Sequence, residues 1–325
     1  MKRIVLNFLV IAALAVSVAF TSCKKDKENT DTVKPHAQSD SMLIIQHLKT
    51  ITKTEGFRNY RNIPLLNKTA EYIFSIFNQY ADTTYYQTYE VGGEIYKNVI
   101  CRLGSGNNKP LVVIGAHYDV DGNQEGADDN ASGVVALLEL VRLISKETLN
   151  YPIEIVAYSL EEQPFSFTEN MGSTIHAKSL FDAGTAVYGM VTFEMIAYFD
   201  DSPNSQTYPV KEMEELYGST GNFILLAGRN DAGTFVKDFS AGFEKASTIN
   251  TKNLYVSPDM VQSTGINRSD HSSYWKFGYD ALMITNTANF RNPNYHKISD
   301  TMETLDISKM MKVIDAAALA IKNLK

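Results

Sequence analysis

Histidines and carboxylates recur in five short stretches of this chain. They are His117-Tyr-Asp119, Gly126-Ala-Asp128-Asp129-Asn130-Ala-Ser-Gly133, Glu161-Glu162, Phe193-Glu194-Met195, and a late group holding Ser269-Asp270-His271 and Tyr295-His296-Lys-Ile-Ser-Asp300-Thr301. Imidazole nitrogen and carboxylate oxygen are donors that zinc accepts, and a catalytic site leaves one position open for water. Two histidines and three carboxylates, one of them bridging, can hold two ions roughly 3.5–4 Å apart, as in co-catalytic hydrolases. A further acid outside the ligand set is then free to move protons. Taken singly, each stretch has a plainer reading. Asp128-Asp129 ahead of a helix can simply cap unpaired N–H groups. Glu161-Glu162 can be a solvated strand end, and His36, His47 and His176 read as structural. The joint order of the five stretches is what argues for chemistry.

These residues need elements to hold them. The runs Leu111-Val-Val-Ile-Gly-Ala116 and Ile153-Glu-Ile-Val-Ala-Tyr-Ser-Leu160 are nearly continuous in apolar residues, which suits strands buried on both faces. A third strand is expected over 186–195, and others over 222–227 and 281–286. Helices are expected over 131–145, 172–183 and 308–323, with two more early in the chain. The first has Leu43, Ile44, Leu48 and Ile51 at helical spacing behind Ser39, Asp40 or Ser41 as a cap; the second runs through Ala70, Ile73, Phe74 and Phe77. Extended stretches over 85–91 and 95–102 precede the first buried strand. The alternation predicts a doubly wound α/β fold with a mainly parallel central sheet flanked by helices. In such sheets ligands gather beyond the carboxyl ends of the strands, where the acids and histidines fall.

Composition sets the outer limits. The chain has 325 residues, 44% hydrophobic and 21% charged, which excludes disorder of the whole and allows one large core. Its formal charge is −7, and no concentrated basic footprint exists, so a nucleic-acid partner is not expected. Residues 1–22 read as a signal peptide, with Lys2 and Arg3 ahead of an apolar run from Ile4 to Phe20. Thr21-Ser22-Cys23 resembles a bacterial lipoprotein cleavage box, so export and a lipid anchor on Cys23 are expected. An uncleaved membrane anchor is the alternative. Residues 23–39 read as the lipidated Cys and a flexible tether, and 40–325 as a single catalytic domain. With Cys23 lipidated, Cys101 has no partner and reads as a small buried hydrophobe.

In order and spacing, several motifs resemble the family-28 zinc metallopeptidases, which include bacterial leucyl aminopeptidases. They are Gly115-Ala-His-Tyr-Asp-Val120, Gly126 to Gly133, Glu161-Glu162 leading to Met171-Gly-Ser173, Glu194-Met-Ile196, Ser269-Asp-His271 and Tyr295-His-x-x-x-Asp-Thr301. The similarity covers Gly56 to Leu305. It implies two zinc ions, with Asp129 bridging them, His117 and Glu194 completing one site, and Glu162 and His296 the other. Glu161 is then the general base, and Asp119 the acid that holds the His117 ring through its other nitrogen. Asp270 and His271 are expected to touch substrate or ligands, with a helix cap the alternative for Asp270.

The chain departs from the family pattern at three places. Glu194 stands where Asp is usual, and Ala197 where Gly is common. Glu161-Glu-Gln-Pro-Phe-Ser-Phe-Thr-Glu-Asn-Met171 replaces the shorter Glu-Glu-x-Gly-Leu-x-Gly-Ser form. The resemblance implies an aminopeptidase acting on peptides with a free N-terminus. A one-zinc glutaminyl cyclase remains open, as does a carboxypeptidase, which would need an Arg such as Arg229, Arg268 or Arg291 to clamp a carboxylate. A surface-binding lipoprotein without catalysis is the reading from a different class.

Overall fold

Asp40 caps the first helix: its carboxylate accepts from the backbone N–H of Met42 and Leu43 at the start of α1 (Ser41–Thr52). The protein is described by a computed structural model over residues 38–104 and 108–325, so the signal peptide, Cys23 and nearly all of the tether lie outside the described residues. After α1 come α2 (Ile63–Tyr80), β1 (Thr83–Val91), β2 (Glu94–Leu103), β3 (Leu111–His117), α3 (Gly133–Ile144), β4 (Ile153–Tyr158), α4 (Gly172–Asp182) and β5 (Val187–Glu194). Then follow α5 (Lys211–Tyr217), β6 (Phe223–Arg229), α6 (Thr234–Ala246), β7 (Asn250–Val256), α7 (Val261–Thr264), α8 (His271–Lys276), β8 (Ala281–Thr285) and α9 (Ile307–Lys322).

The strands form one eight-stranded sheet in the order β1-β2-β4-β3-β5-β8-β6-β7. The pairs β4–β3, β3–β5, β5–β8 and β6–β7 are parallel; the β1–β2 hairpin, β2–β4 and β8–β6 are antiparallel. Every residue of β3, β4 and β8 is buried, as strands covered on both faces require. One face carries α1, α2, α3, α6 and α9, whose Leu48, Phe77, Leu137, Phe239 and Ile314 share a single apolar cluster. On the opposite face Ala177 and Leu180 of α4 and Tyr274 of α8 pack on Val113 and Val156. This is the doubly wound arrangement that the sequence predicts.

Register aligns the functional ends. His117 lies opposite Tyr158, and Gly115 opposite Thr192, so β3, β4 and β5 finish side by side. α6 and β7 are elements that the apolar pattern does not single out. β7 is a half-buried edge strand, and its weak alternation is characteristic of such edges. Ser39, expected as the last residue of the tether, is bonded to the fold: its N–H donates to Asp315 Oδ1 at 2.8 Å on α9. Among the described residues no helix is long and apolar enough to cross a membrane.

One buried charge sits in the sheet itself. Glu154 of β4 meets His176 Nε2 at 3.0 Å, Arg102 Nε at 2.5 Å and the Tyr85 hydroxyl at 3.1 Å. Burial opposes its charge, but His176 and Arg102 outweigh burial and hold its carboxyl down at about 2. A depressed folded pKa contributes stability above the unfolded value and loses it as pH falls toward the folded one. Urea unfolding across a pH series should therefore show stability falling between about pH 5 and pH 2, and less steeply in Glu154→Gln.

Candidate active site

The ligand candidates arrive from separate elements. His117 and Glu194 are the last residues of β3 and β5. Glu161 and Glu162 follow β4 after Leu160, whose φ is 61°. Met195, at 53°, turns the chain directly after Glu194, and His296 itself stands at 55°. Left-handed backbone at such residues costs of order 1–3 kcal/mol each, so surrounding bonds must hold it. Asp119 does so for one turn: its carboxylate accepts the N–H groups of Glu161 and Glu162, each at 3.1 Å. Asn130 Oδ1 does so for another, accepting from the N–H of Met195 and of Gly133, again at 3.1 Å each.

Asp129 lies between two imidazoles. Its Oδ1 is 3.4 Å from His117 Nε2, and its Oδ2 is 3.1 Å from His296 Nε2. Glu194 Oε2 is 3.4 Å from His117 Nε2, and Glu162 Oε2 is 3.4 Å from His296 Nε2. Glu161 Oε2 stands farther from His117, at 3.9 Å. The structure thus brings together all five candidate ligands and the candidate base. Buried His117 Nε2, Asp129 Oδ2 and Glu162 Oε1 have no hydrogen-bond partner. A buried polar atom without a hydrogen bond is costly, and these three belong to groups of imidazole and carboxylate atoms within 4.8 Å of one another, a donor set that suits a cation.

The electrostatics agree. Burial, followed by the charge of neighbouring Asp129, pushes Glu162 up to about 7. Glu161 is pushed well above the carboxylate range, first by burial. Burial disfavours charge on His296, yet Asp129 and Glu162 carry it up to about 11. His117 is raised well above its ordinary value, because Glu161 and Glu194 outweigh its burial. Carboxylates repel one another here and favour protonated imidazoles, because several acids share one buried pocket.

Around the ligands lies a support layer that the sequence only partly reveals. The Glu194 carboxylate accepts from Ser269 Oγ at 2.7 Å. Asp121, absent from the sequence motifs, is 3.3 Å from His296 Nδ1. Asp128 is fully buried and takes the Ala197 N–H, Asn286 Nδ2 and Asn292 Nδ2, so it braces rather than ligates. Asp300 accepts from the backbone N–H of both Asp128 and Asp129. Arg58, which no motif marks, donates from its buried guanidinium to the carbonyls of Tyr118, Glu125 and Gly126 and so clamps the turn ahead of Asp129.

Three expected contacts differ in detail. Asp119 Oδ1 is 3.6 Å from His117 Nδ1, whose nearest acceptor is the Asp119 carbonyl at 3.2 Å; the carboxylate chiefly fixes Glu161 and Glu162. Asp270 does not cap α8 with its side chain; it is fully buried, and both oxygens lack a hydrogen-bond partner. Burial pushes it up to about 7. His271 serves packing instead of the ligands, with Nε2 on the Ile266 carbonyl at 2.6 Å and its ring against Trp275.

Two hollows meet at this centre. A polar cleft is walled by Asp129, Glu161, Glu162, Glu194 and His296 together with Gln163, Ser166, Phe167, Arg268 and Tyr295. Beside it lies an apolar hollow open to solvent, which includes Glu194, Arg268 and Tyr295 at its rim and Met213, Leu225, Leu254, Ile266 and Met283 in its wall. Of the three candidate arginines only Arg268 reaches the cleft. Arg229 pairs with Asp231, and Arg291 is buried against the Phe223 carbonyl.

A sheet that ends in clustered histidines and carboxylates, with an apolar hollow alongside, defines a metallohydrolase. Residues 98–321 match the model of peptidase family M28. The chain belongs to that family: it is a metallopeptidase, and the family implies zinc. It is 38% identical to the uncharacterized protein YfbL of Escherichia coli K12 over 86% of each chain. It is 24% identical to the probable lipoprotein aminopeptidase LpqL of Mycobacterium tuberculosis, over 78% of this chain but only half of LpqL's length. Among solved structures, the LapA aminopeptidase of Legionella pneumophila superposes with a TM-score of 0.68 at 22% identity, covering 88% of this chain and 72% of LapA. A glutaminyl cyclase of Bacteroides thetaiotaomicron superposes at 0.64 and 16% identity, covering 89% of this chain and 99% of the cyclase. Those two likenesses describe the fold.

Metal ligands must be deprotonated, so zinc has to displace the protons that Glu162 and His296 hold up to about 7 and about 11. Zinc affinity should therefore rise from pH 5.5 to 8, with proton release seen by calorimetry in buffers of different ionisation enthalpy. Affinity independent of pH would contradict this donor set.

Proposed function

We propose that this chain is a two-zinc aminopeptidase that removes the first residue of a peptide, with Glu161 as the general base. The observation that carries the reading is Asp129 lying between His117 and His296, flanked by Glu194 and Glu162. Asp129, Glu161, Glu162 and Glu194 together supply the negative charge that two divalent cations balance. Asp129 would be shared, His117 and Glu194 would hold one ion, and Glu162 and His296 the other. Zinc in such a site supplies a water of lowered pKa and polarises a carbonyl.

The remaining roles fall to side chains. Glu161 faces the cleft at the edge of the ligand set; its burial favours the protonated form once it has taken a proton from water. It then hands that proton to the leaving amine. Asp119 keeps Glu161 in place through the backbone, so positioning does not depend on the base's own side chain. The substrate's ammonium group enters a region rich in carboxylates, with Glu194 at the rim of the apolar hollow. That hollow suits a large apolar first side chain such as Leu, Met or Phe. The lipoprotein relative and the sequence around Cys23 support an exported enzyme held to the cell envelope by lipid.

The test is release of free amino acids from peptides and aminoacyl-amides by the zinc-loaded full chain. Leucyl substrates should exceed glycyl ones, N-acetylation should abolish cleavage, and chelation should stop it. Glu161→Gln should lower kcat by about 10²–10⁴-fold while zinc content is unchanged. Cyclisation of N-terminal Gln with ammonia release, and no amino acid release, would assign the cyclase reaction instead.

A further inference from the structure

The segment after Glu162 carries a large aromatic residue in an unusual setting. Phe167 is 48% exposed, belongs to none of the apolar clusters, and has φ of 63°. An exposed phenylalanine in left-handed backbone gains little from folding and is strained by its Cβ, so the fold alone does not account for it. The segment is also not loose. The N–H groups of Phe165 and Ser166 donate to the Glu162 carbonyl, Ser166 Oγ donates to the Glu161 carbonyl, and Lys276 Nζ donates to the Phe167 carbonyl. Neighbouring Phe165 is wedged edge-on against Tyr60 at 5.4 Å. Phe167 is therefore held at the wall of the cleft by its flanks.

Which part of a substrate it meets follows from the chemistry, resting on the aminopeptidase reading. The first side chain enters the apolar hollow beyond Arg268 and Tyr295. The leaving amine must come within hydrogen-bond reach of Glu161, the group that protonates it. The second residue of the peptide is consequently on the Glu161 side, where the chain runs through Ser166 to Phe167. Phe167 lines the polar cleft but not the apolar hollow.

We propose that Phe167 forms a subsite for the side chain of the second residue, and that the enzyme favours peptides whose second residue is apolar or aromatic. The longer Gln163–Asn170 segment, where this chain departs from the shorter family form, is what places the ring there.

The experiment compares kcat/KM of the zinc-loaded full chain on leucinamide, Leu-Gly-amide, Leu-Leu-amide and Leu-Phe-amide, beside Phe167→Gly and Phe167→Leu. Wild type should prefer Leu-Phe-amide and Leu-Leu-amide over Leu-Gly-amide by roughly 10-fold or more, the discrimination one apolar side chain provides. Phe167→Gly should erase that preference, lowering kcat/KM on Leu-Phe-amide and Leu-Leu-amide more than on Leu-Gly-amide or leucinamide, while Phe167→Leu keeps part of it. Because glycine accepts this backbone, the glycine variant should melt no lower than wild type, which separates lost recognition from lost folding. A preference that survives in Phe167→Gly, or an equal loss on all four substrates, overturns the proposal. Wild type releasing leucine from none of the four overturns the aminopeptidase reading itself, and this subsite with it.

Discussion

Crowded negative charge out of water is the constraint on which the rest of this structure depends. Asp129, Glu161, Glu162 and Glu194 lie within a few ångströms of two histidines, and the ligands among them are almost fully buried. Without cations such a group is unfavourable, since each carboxylate raises the others and burial raises them all. Folding must therefore supply rigid positions from elements that are stable for other reasons. The doubly wound sheet does this, because its central strands are held by apolar packing on both faces and stop together at one edge.

The rigidity comes from polar groups outside the set of candidate ligands. Asp128 is locked by two asparagines and a backbone N–H, Asp300 holds two N–H groups of the turn, and Arg58 holds three carbonyls. Their combined effect is to fix Asp129, the one residue that must face both imidazoles. Left-handed backbone at Leu160, Met195 and His296 turns the chain sharply at or beside the ligands. At Leu160 and Met195 the strain is tolerated because bonds accepted by Asp119 and Asn130 hold the backbone in or beside those turns.

Function in this fold separates into a common centre and a variable surround. The centre lies within the residues that match family M28. The surround is set by the apolar hollow, by Arg268 and Tyr295 between the two hollows, and by the longer segment carrying Phe167. Tyr295 stacks on His296 with ring centres 3.8 Å apart and receives Arg268 on its hydroxyl, so the ligand and the wall of the cleft are one packed unit. Changes of specificity here need not disturb the metal ligands.

The sequence by itself determined seven of the eight strands, the principal helices and the stretches whose residues converge. Apolar runs and helical spacing are local properties, and metal-ligating residue types at strand ends recur in a recognisable order. The five stretches were legible for that reason, and the family resemblance then singled out His117, Asp129, Glu162, Glu194 and His296 within them. Tertiary structure alone decided their partners. Arg58 and Asp121 carry no local signal, because a guanidinium that clamps a distant turn and a carboxylate beside His296 acquire meaning only when the chain folds back. It also decided that Asp119 bonds the Glu161 and Glu162 backbone more closely than the His117 ring, that His271 packs under Trp275, and that Phe167 faces the cleft. Such outcomes depend on distances between segments far apart in sequence, and residue type and spacing do not contain those distances.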